Sequence, residues 1–433
     1  MSNQPASDQH VSNYAFCFPA NQKIVSHKQK THHNSFLCTV KVLLLHQHFN
    51  TPASGGAIRS YYLAKALVDR GVGVVVITGC NGDAYKFENV EGIEVHYLPI
   101  PYHNKFGFWK RSASFLRYNL GVVRLAGKIP DIRICYAISV PLTIGLAAYW
   151  IKLQHKVKYI FEVGDLWPEA PIQMNFVKNY FFKAFLYGLE KFIYRNASSV
   201  VALSVMIKEA IEKKVPGKLV HLIPNMADTD FYKPEPKDPV LLQKFGVKDK
   251  FIVSYIGAIG LANGLDYYVE CARACQQAEL PVHFLLCGDG ALLEYFQGVV
   301  KQHQLRNFSI IPFLNRDGVR EVMNVTDATF ICYKLLPVLE TGSPNKYFDG
   351  LSAGKMIIIN FGGWIKNEIE RQRCGIYVDS KFPADFVKKI SPFLGDDQYL
   401  KQYQRASRQL AEAAYSRKIL GERFAAIKEL QSR

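Results

Sequence analysis

Residues 339–361, Leu-Glu-Thr-Gly-Ser-Pro-Asn-Lys-Tyr-Phe-Asp-Gly-Leu-Ser-Ala-Gly-Lys-Met-Ile-Ile-Ile-Asn-Phe, read as a loop, a helix and a buried strand. Ser343 is a natural N-cap and Pro344 suits the first helical position, so the unpaired N–H groups of that turn should point into Thr341, Gly342 and Ser343. A helix N-terminus of this kind attracts phosphate through those N–H groups and through the macrodipole. Tyr347, Phe348 and Leu351 share one helical face and should pack inward, while Asn345, Lys346 and Asp349 lie together on another. Gly354 fits the helix end, and 356–361 reads as a strand covered on both faces. Phosphate donors, a lysine and a carboxylate thus gather beside a buried strand, as a nucleoside diphosphate requires. Lys346 and the amides would hold phosphate, and Asp349 would accept ribose hydroxyls. An ordinary αβ unit with a good cap and a solvated polar face has the same pattern, so the rest of the chain must decide.

Two halves repeat this architecture. The first opens with Lys41-Val-Leu-Leu-Leu-His-Gln-His-Phe, a short buried strand, followed by the Gly-rich turn Thr51-Pro-Ala-Ser-Gly-Gly-Ala-Ile-Arg and a helix over 61–69. Further strands are predicted at 74–78, 94–98, 132–136, 159–163 and 199–203, with helical stretches between most of them. In the second half, strands at 251–256, 283–287, 309–313, 328–333 and 356–360 continue the pattern, with a linker near 230–237. Alternation of strand and helix means parallel sheets wrapped on both faces, with ligands in the cleft at the carboxyl ends of the strands. No Gly-x-Gly-x-x-Gly opens a helix, and no Gly-x4-Gly-Lys-Ser/Thr loop occurs, so the nicotinamide and P-loop fingerprints are absent.

At 433 residues the chain exceeds one ordinary core, and 49% apolar content excludes global disorder. The nine cysteines are scattered, odd in number and without Cys-x-x-Cys, which indicates reduced thiols rather than a disulfide framework or zinc site. Residues 1–40 are polar and His-rich, carry no secretory pattern and read as a disordered extension. The longest apolar stretch, 134–151, is broken by Ser139, Pro141 and Thr143, and is better explained as a strand followed by a helix than as a membrane span. Of the net charge of +16, much falls between 101 and 160, where ten basic residues face Asp131 alone. Tyr102, Phe106, Phe108, Trp109, Phe115 and Tyr118 interleave with them. This pattern suits an anionic membrane surface over 102–118, helped by 176–195, and the charge alone would equally suit nucleic acid.

With this order of elements the chain resembles glycosyltransferase family 4, retaining enzymes of the GT-B fold, and within it the WbuB-type transferases of N-acetylated deoxy-amino sugars. The matching segments are Phe49-Asn-Thr-Pro with Gly55-Gly-Ala-Ile-Arg59, Pro101-Tyr-His-Asn-Lys, Phe161-Glu-Val-Gly-Asp-Leu-Trp-Pro-Glu169, Ala202-Leu-Ser204 and Ile223-Pro-Asn225. They continue through Gly257-Ala-Ile-Gly-Leu-Ala-Asn-Gly264, Ser343-Pro-Asn-Lys346 with Asp349, and Ser416-Arg417. The resemblance implies an α/β chain of two doubly wound Rossmann-like domains facing a central cleft. Residues 41–232 would form the acceptor- and membrane-facing domain, 233–415 the nucleotide-sugar domain, and 416–433 a helix returning to the first. It implies a UDP-linked donor, a lipid-pyrophosphate-linked glycan acceptor in O-antigen or capsule synthesis, no cofactor or metal, no nucleic acid, and a place on the cytosolic face of the inner membrane.

The donor site implied comprises Gly55, Gly56, Gly257, Asn263, Gly264, Thr341, Gly342, Ser343, Asn345, Lys346 and Asp349. Arg59 would reach phosphate or acceptor pyrophosphate, against the alternative of an exposed helical arginine. Three departures stand out. The family's paired glutamates fall on Thr341 and Asp349, so Glu340 either stands in for the first acid or that role is empty. The Arg and Lys that follow the second domain's first strand are missing from 260–264, which makes Lys346 the replacement cation. Gly164 precedes Asp165 where relatives carry His or Arg, so Asp165 is the candidate for acceptor or donor-sugar contact, or else the N-cap of the next helix. His46 and His48, alternating along a strand, read as structural. Two other readings stay open: a nucleotide-sugar epimerase on the same fold, and a basic nucleic-acid-binding protein.

Overall fold

The computed structural model describes residues 41–53, 56, 58–103 and 106–431. The expected extension over 1–40, Gly55 and Lys105 lie outside them.

The apolar runs assemble two sheets. The first contains β1 (Lys41–Leu45), β2 (Gly73–Cys80), β3 (Lys86–Val90), β4 (Ile93–Pro99), β5 (Ile132–Ile138), β6 (Lys158–Val163), β7 (Ser199–Ala202) and β8 (Val220–Leu222), in the order β3-β4-β2-β1-β5-β6-β7-β8. All pairings are parallel except the β3–β4 hairpin at the edge. The second holds β9 (Phe251–Ile256), β10 (Val282–Cys287), β11 (Phe308–Ile311), β12 (Ala328–Ile331), β13 (Met356–Ile359) and β14 (Gly375–Tyr377), all parallel, in the order β11-β10-β9-β12-β13-β14. Both are doubly wound. In each, the order reverses beside the first strand, β1 or β9, and connections leaving the two neighbours there diverge to opposite faces and open a crevice.

Central strands read as continuous apolar runs because both faces are covered: Val42–Leu45 and Met356–Ile359 are at most 1% exposed. The strands missed by pattern reading are β3, β8 and β14. The last two are three residues long, and β3, Lys-Phe-Glu-Asn-Val, is an edge strand with little apolar signal. The 134–151 stretch divides as expected into β5 and α3 (Ile144–His155). The first half also contains α1 (Arg59–Val68), α2 (Phe108–Ala126), α4 (Glu169–Gln173) and α5 (Tyr180–Asn196). The Arg417–Ala425 helix packs on α1, with Phe424 against the Tyr136 ring at 4.9 Å.

Candidate active site between the two sheets

A cavity of about 330 Å³ lies where the two switch points meet. One wall comes from the first sheet: His46 after β1, Arg59 and Ser60 of α1, Ser139 and Val140 after β5, and Gly164 and Asp165 after β6. Asn225 and Tyr333 contribute from the crossing segment and from the end of β12. The other wall is Gly342, Ser343, Pro344 and Asn345. Of the residues predicted from sequence, Arg59, Asp165, Gly342, Ser343 and Asn345 therefore come together here.

The helix of the second wall runs Asn345–Ser352, with Tyr347, Phe348 and Leu351 fully buried as expected and Gly354 in the left-handed conformation (φ 62°) just past its end. Its start differs from the sequence reading. Pro344, not Ser343, occupies the N-cap position, and among the described residues no side chain caps the helix. Ser343 is diverted across the cleft, where its hydroxyl accepts from the Asn225 backbone N–H (3.3 Å) and its carbonyl from the Asn225 amide. Ser204 donates to the Thr341 carbonyl (2.5 Å), and Gln173 accepts from Val338 N–H (3.0 Å). In the first turn the Tyr347 N–H bonds back to the Pro344 carbonyl (3.0 Å), while the N–H groups of Asn345 and Lys346 have no intrahelical acceptor and belong to the helix start that lines the cavity.

Lys346 and Asp349 diverge from that wall and from each other. Lys346 Nζ donates to the Tyr255 hydroxyl (2.7 Å) and Asn263 Oδ1 (3.3 Å), and lies 4.1 Å above the Tyr255 ring. Its ammonium also lies beside Gly257, where a Cβ would sit 3.6 Å from Nζ. Gly264 (φ 57°) passes so close to the backbone of Tyr333 and Lys334 that a Cβ would lie 2.9 Å from the Lys334 nitrogen. Lys346, Asn263 and Gly257 are thus one group, without a carboxylate partner among the described residues. Burial pushes the lysine down to about 7, opposed weakly by the Cys332 thiol. The alternative of a solvated polar face fails for this lysine, which is half-buried against Tyr255 and Asn263. Asp349 lies instead toward Arg316 and Asp228, and burial raises it to about 7 despite Arg316.

Three other residues do not line the cavity. Glu340 turns its carboxylate onto the Gly362 N–H (3.3 Å), under the turn before the Trp364–Gln372 helix. Thr341 is buried and donates to the Val338 carbonyl (2.7 Å). Gly56 (φ 79°) faces the Asn50 amide.

Arg59 overturns the alternative of an exposed helical arginine: its side chain lies at the cavity wall, largely buried, with four of its five N–H donors engaged by the protein. Its guanidinium forks onto Glu162 (Nε–Oε1 3.1 Å, Nη2–Oε2 3.0 Å) and also donates to the carbonyls of Ile223 (2.8 Å) and Pro224. Tyr136 donates to the same carboxylate. A charge inside an apolar strand was the signal for Glu162, since a buried carboxylate needs a cation. His46 was also missed: it leaves β1, shares a hydrogen bond with Ser60 Oγ (Nδ1, 2.9 Å), and faces the cavity. Burial, with His48 and Arg59 nearby, lowers it to about 3, so it is neutral at physiological pH.

Asp165 is not the cap of α4, whose N-cap is Pro168. Its carboxylate is open to the cavity, yet the surrounding walls withhold bulk hydration and raise its pKa above the ordinary range. Among the described residues, no three His, Cys, Asp or Glu side chains are grouped so as to hold a metal ion.

Two family descriptions match the chain. Residues 54–226 match the Glycosyl transferase 4-like domain and residues 240–410 the Glycosyl transferases group 1 domain. Among characterised sequences, the chain is 20% identical over 250 residues to the alpha-D-kanosaminyltransferase of Streptomyces kanamyceticus, covering 55% of this chain and 62% of that protein. It is 24% identical over 260 residues to the putative teichuronic acid biosynthesis glycosyltransferase TuaH of Bacillus subtilis, covering 57% and 61%. The chain thus matches about three fifths of the length of each. In fold it is similar to sucrose-phosphate synthase of Thermosynechococcus elongatus (TM-score 0.71, 14% identity, 89% of this chain and 97% of that one). HepE of Anabaena, solved with UDP and glucose, superposes with TM-score 0.66 at 18% identity over 89% and 98%. WaaG, a glycosyltransferase of lipopolysaccharide biosynthesis, gives 0.63 at 13% over 90% and 100%.

Proposed function

Because this chain belongs to the GT-B glycosyltransferases, we infer that its cleft holds a nucleoside diphosphate sugar and passes the sugar to a hydroxyl of a second substrate. The observation that carries this reading is the cavity itself, with the Asp165 carboxylate on one wall and an uncapped helix N-terminus on the other. The first-turn amides of the Asn345–Ser352 helix, joined by Lys346, offset the charge that grows on the leaving diphosphate. Asp165 accepts a hydroxyl of the acceptor or of the donor sugar.

In this reading transfer is retaining and requires no cofactor. The bond from the anomeric carbon to the diphosphate oxygen breaks as the acceptor oxygen bonds to the same face. The acceptor proton passes to a phosphate oxygen of the departing diphosphate. A UDP donor is supported by the UDP held in HepE, an amino-sugar donor by the kanosaminyltransferase, and a lipid-linked glycan acceptor, carried on pyrophosphate in our reading, by WaaG's part in lipopolysaccharide biosynthesis. WbuB-type specificity and work at the cytosolic face of a membrane belong to the same proposal. Among the described residues no helix is long and apolar enough to cross a membrane.

Incubating the purified protein with a panel of UDP-sugars, with and without lipid-linked acceptor, tests this. Acceptor-dependent release of UDP with an α-configured product is expected from an α-linked donor. Conversion of the donor into an isomer without acceptor would instead establish the epimerase reading.

A further inference from the structure

The first half carries an exposed aromatic surface that the cleft chemistry does not use. Helix α5 buries only Glu190, Ile193 and Tyr194, all in its second half. Its first two turns and the approach to them stand in water: Phe176 is 67% exposed, Tyr180 77%, Phe181 80% and Phe185 62%. Phe182 and Phe185 stack on one another (6.3 Å, 15°), which leaves their outer faces bare. The patch continues onto α3, whose buried side is Ile144, Ala147, Ala148 and Ile151 and whose outer side presents Trp150 (53%) and Leu153 (57%). Tyr149 meets Phe192 at 4.6 Å and Lys152 donates to the Asn196 carbonyl (2.8 Å), so α3 and α5 form one surface. Helix α2 packs against α3 and adds Leu116 (61%).

Charge decides what would cover this surface. Over 175–196 the basic residues are Lys178, Lys183, Lys191 and Arg195, and the single acid, Glu190, is buried and paired with Lys214 (2.8 Å). Helix α2 has four basic residues and no acid. An apolar patch rimmed by one sign of charge and nearly free of the other repels its own copy and matches an anionic bilayer. Position agrees. From Asp165 in the cavity the chain runs through α4, whose Gln173 holds Val338 at the cleft rim, directly into Phe176.

We propose that Phe176, the first half of α5 and the outer faces of α3 and α2 form a docking surface for an anionic lipid bilayer, with the aromatic end of α5 seated at the interface. Docking thereby extends from 102–118, where Trp109 is 82% exposed, onto α5. Within 102–118, Tyr118 is core, and Tyr102 is packed on His48 (4.5 Å) and Phe115 (5.6 Å). The proposal rests on the transferase reading only for its purpose, which is to bring a lipid-borne acceptor to the cavity mouth.

The test is co-sedimentation of the full chain with phosphatidylglycerol-containing and with pure phosphatidylcholine vesicles, at low and high salt. Salt-sensitive binding to the anionic vesicles is expected, weakened about tenfold or more both by Phe181→Ser with Phe185→Ser and by Lys178→Glu with Lys183→Glu and Lys191→Glu. Binding to neither vesicle, or binding that both variants retain, overturns it. So does self-association of the parent protein that the serine variant abolishes, because the face would then belong to a second copy. Donor hydrolysis without lipid is measured alongside and should be unchanged in the variants. Its absence from the parent, with vesicle binding intact, would count against the transferase reading alone.

Discussion

Replacing Lys346 by Met should leave a folded protein that is slower and, at neutral pH, no less stable. Methionine keeps the unbranched stem against Tyr255 and removes only the ammonium. If that ammonium meets the diphosphate, a charge-assisted hydrogen bond worth about 1.5–3 kcal/mol is lost, which lowers kcat/KM roughly ten- to a hundredfold. The stability side follows from the desolvated site. The folded-state pKa is depressed from 10.5 to about 7, so the unfolded chain binds more protons between those values. Stability supplied by the neutral lysine is therefore present above pH 10.5, declines as pH falls and is exhausted below about 7, and Lys346→Met should remove this slope. Diphosphate binding should draw a proton onto Lys346, so UDP affinity weakens as pH rises above about 7. Calorimetry of UDP binding in buffers of different ionisation enthalpy reads the uptake, and urea melts across pH read the slope. An unchanged kcat/KM in a folded variant, with no proton uptake in the parent, would remove Lys346 from the site.

Glu162→Gln strips the Arg59 guanidinium of its carboxylate partner and should cost about 3–5 kcal/mol, read as a lower urea midpoint, because both side chains are largely desolvated; a shift within error would show that water replaces the pair. Asp349→Asn should weaken UDP and UDP-sugar equally if the carboxylate holds ribose hydroxyls, and it should also abolish the fall in stability that a carboxyl raised from 3.8 to about 7 imposes as pH climbs through that window; equal UDP affinity by calorimetry would end the ribose assignment. Glu340→Gln should slow transfer while preserving UDP affinity if this residue replaces the missing first acid, whereas an unchanged rate leaves Glu340 as the support of the Gly362 turn. Ser204→Ala and Asn225→Ala remove the bonds that hold 341–343 from the opposite domain, so kcat should fall about tenfold with the melting temperature little changed, and Ser204→Thr should restore it.

Apolar runs bounded by Gly and Pro, alternating with helical stretches, were enough to place the central strands of both sheets, because parallel strands covered on two faces can contain little else. The same local chemistry identified the Asn345–Ser352 helix, its buried face and Gly354, and it brought Asp165 and Ser343 forward as cleft residues. Spacing along a helix did not reveal what each polar side chain meets. Asn345, Lys346 and Asp349 share a face by count, yet the first opens on the cavity, the second enters the aromatic site at the end of β9 and the third lies toward Arg316. Partners on other elements, Tyr255 and Asn263 for the lysine and Arg316 and Asp228 for the aspartate, made those choices. Ser343 was a cap by local rule, and Asn225 of the other domain drew it away. Arg59 was free on paper and is bound by Glu162, 103 residues on. Propensity and periodicity act over a few residues and so determine elements. Hydrogen-bond satisfaction and desolvation act between elements, so only the tertiary structure could decide which polar groups remain available for a ligand.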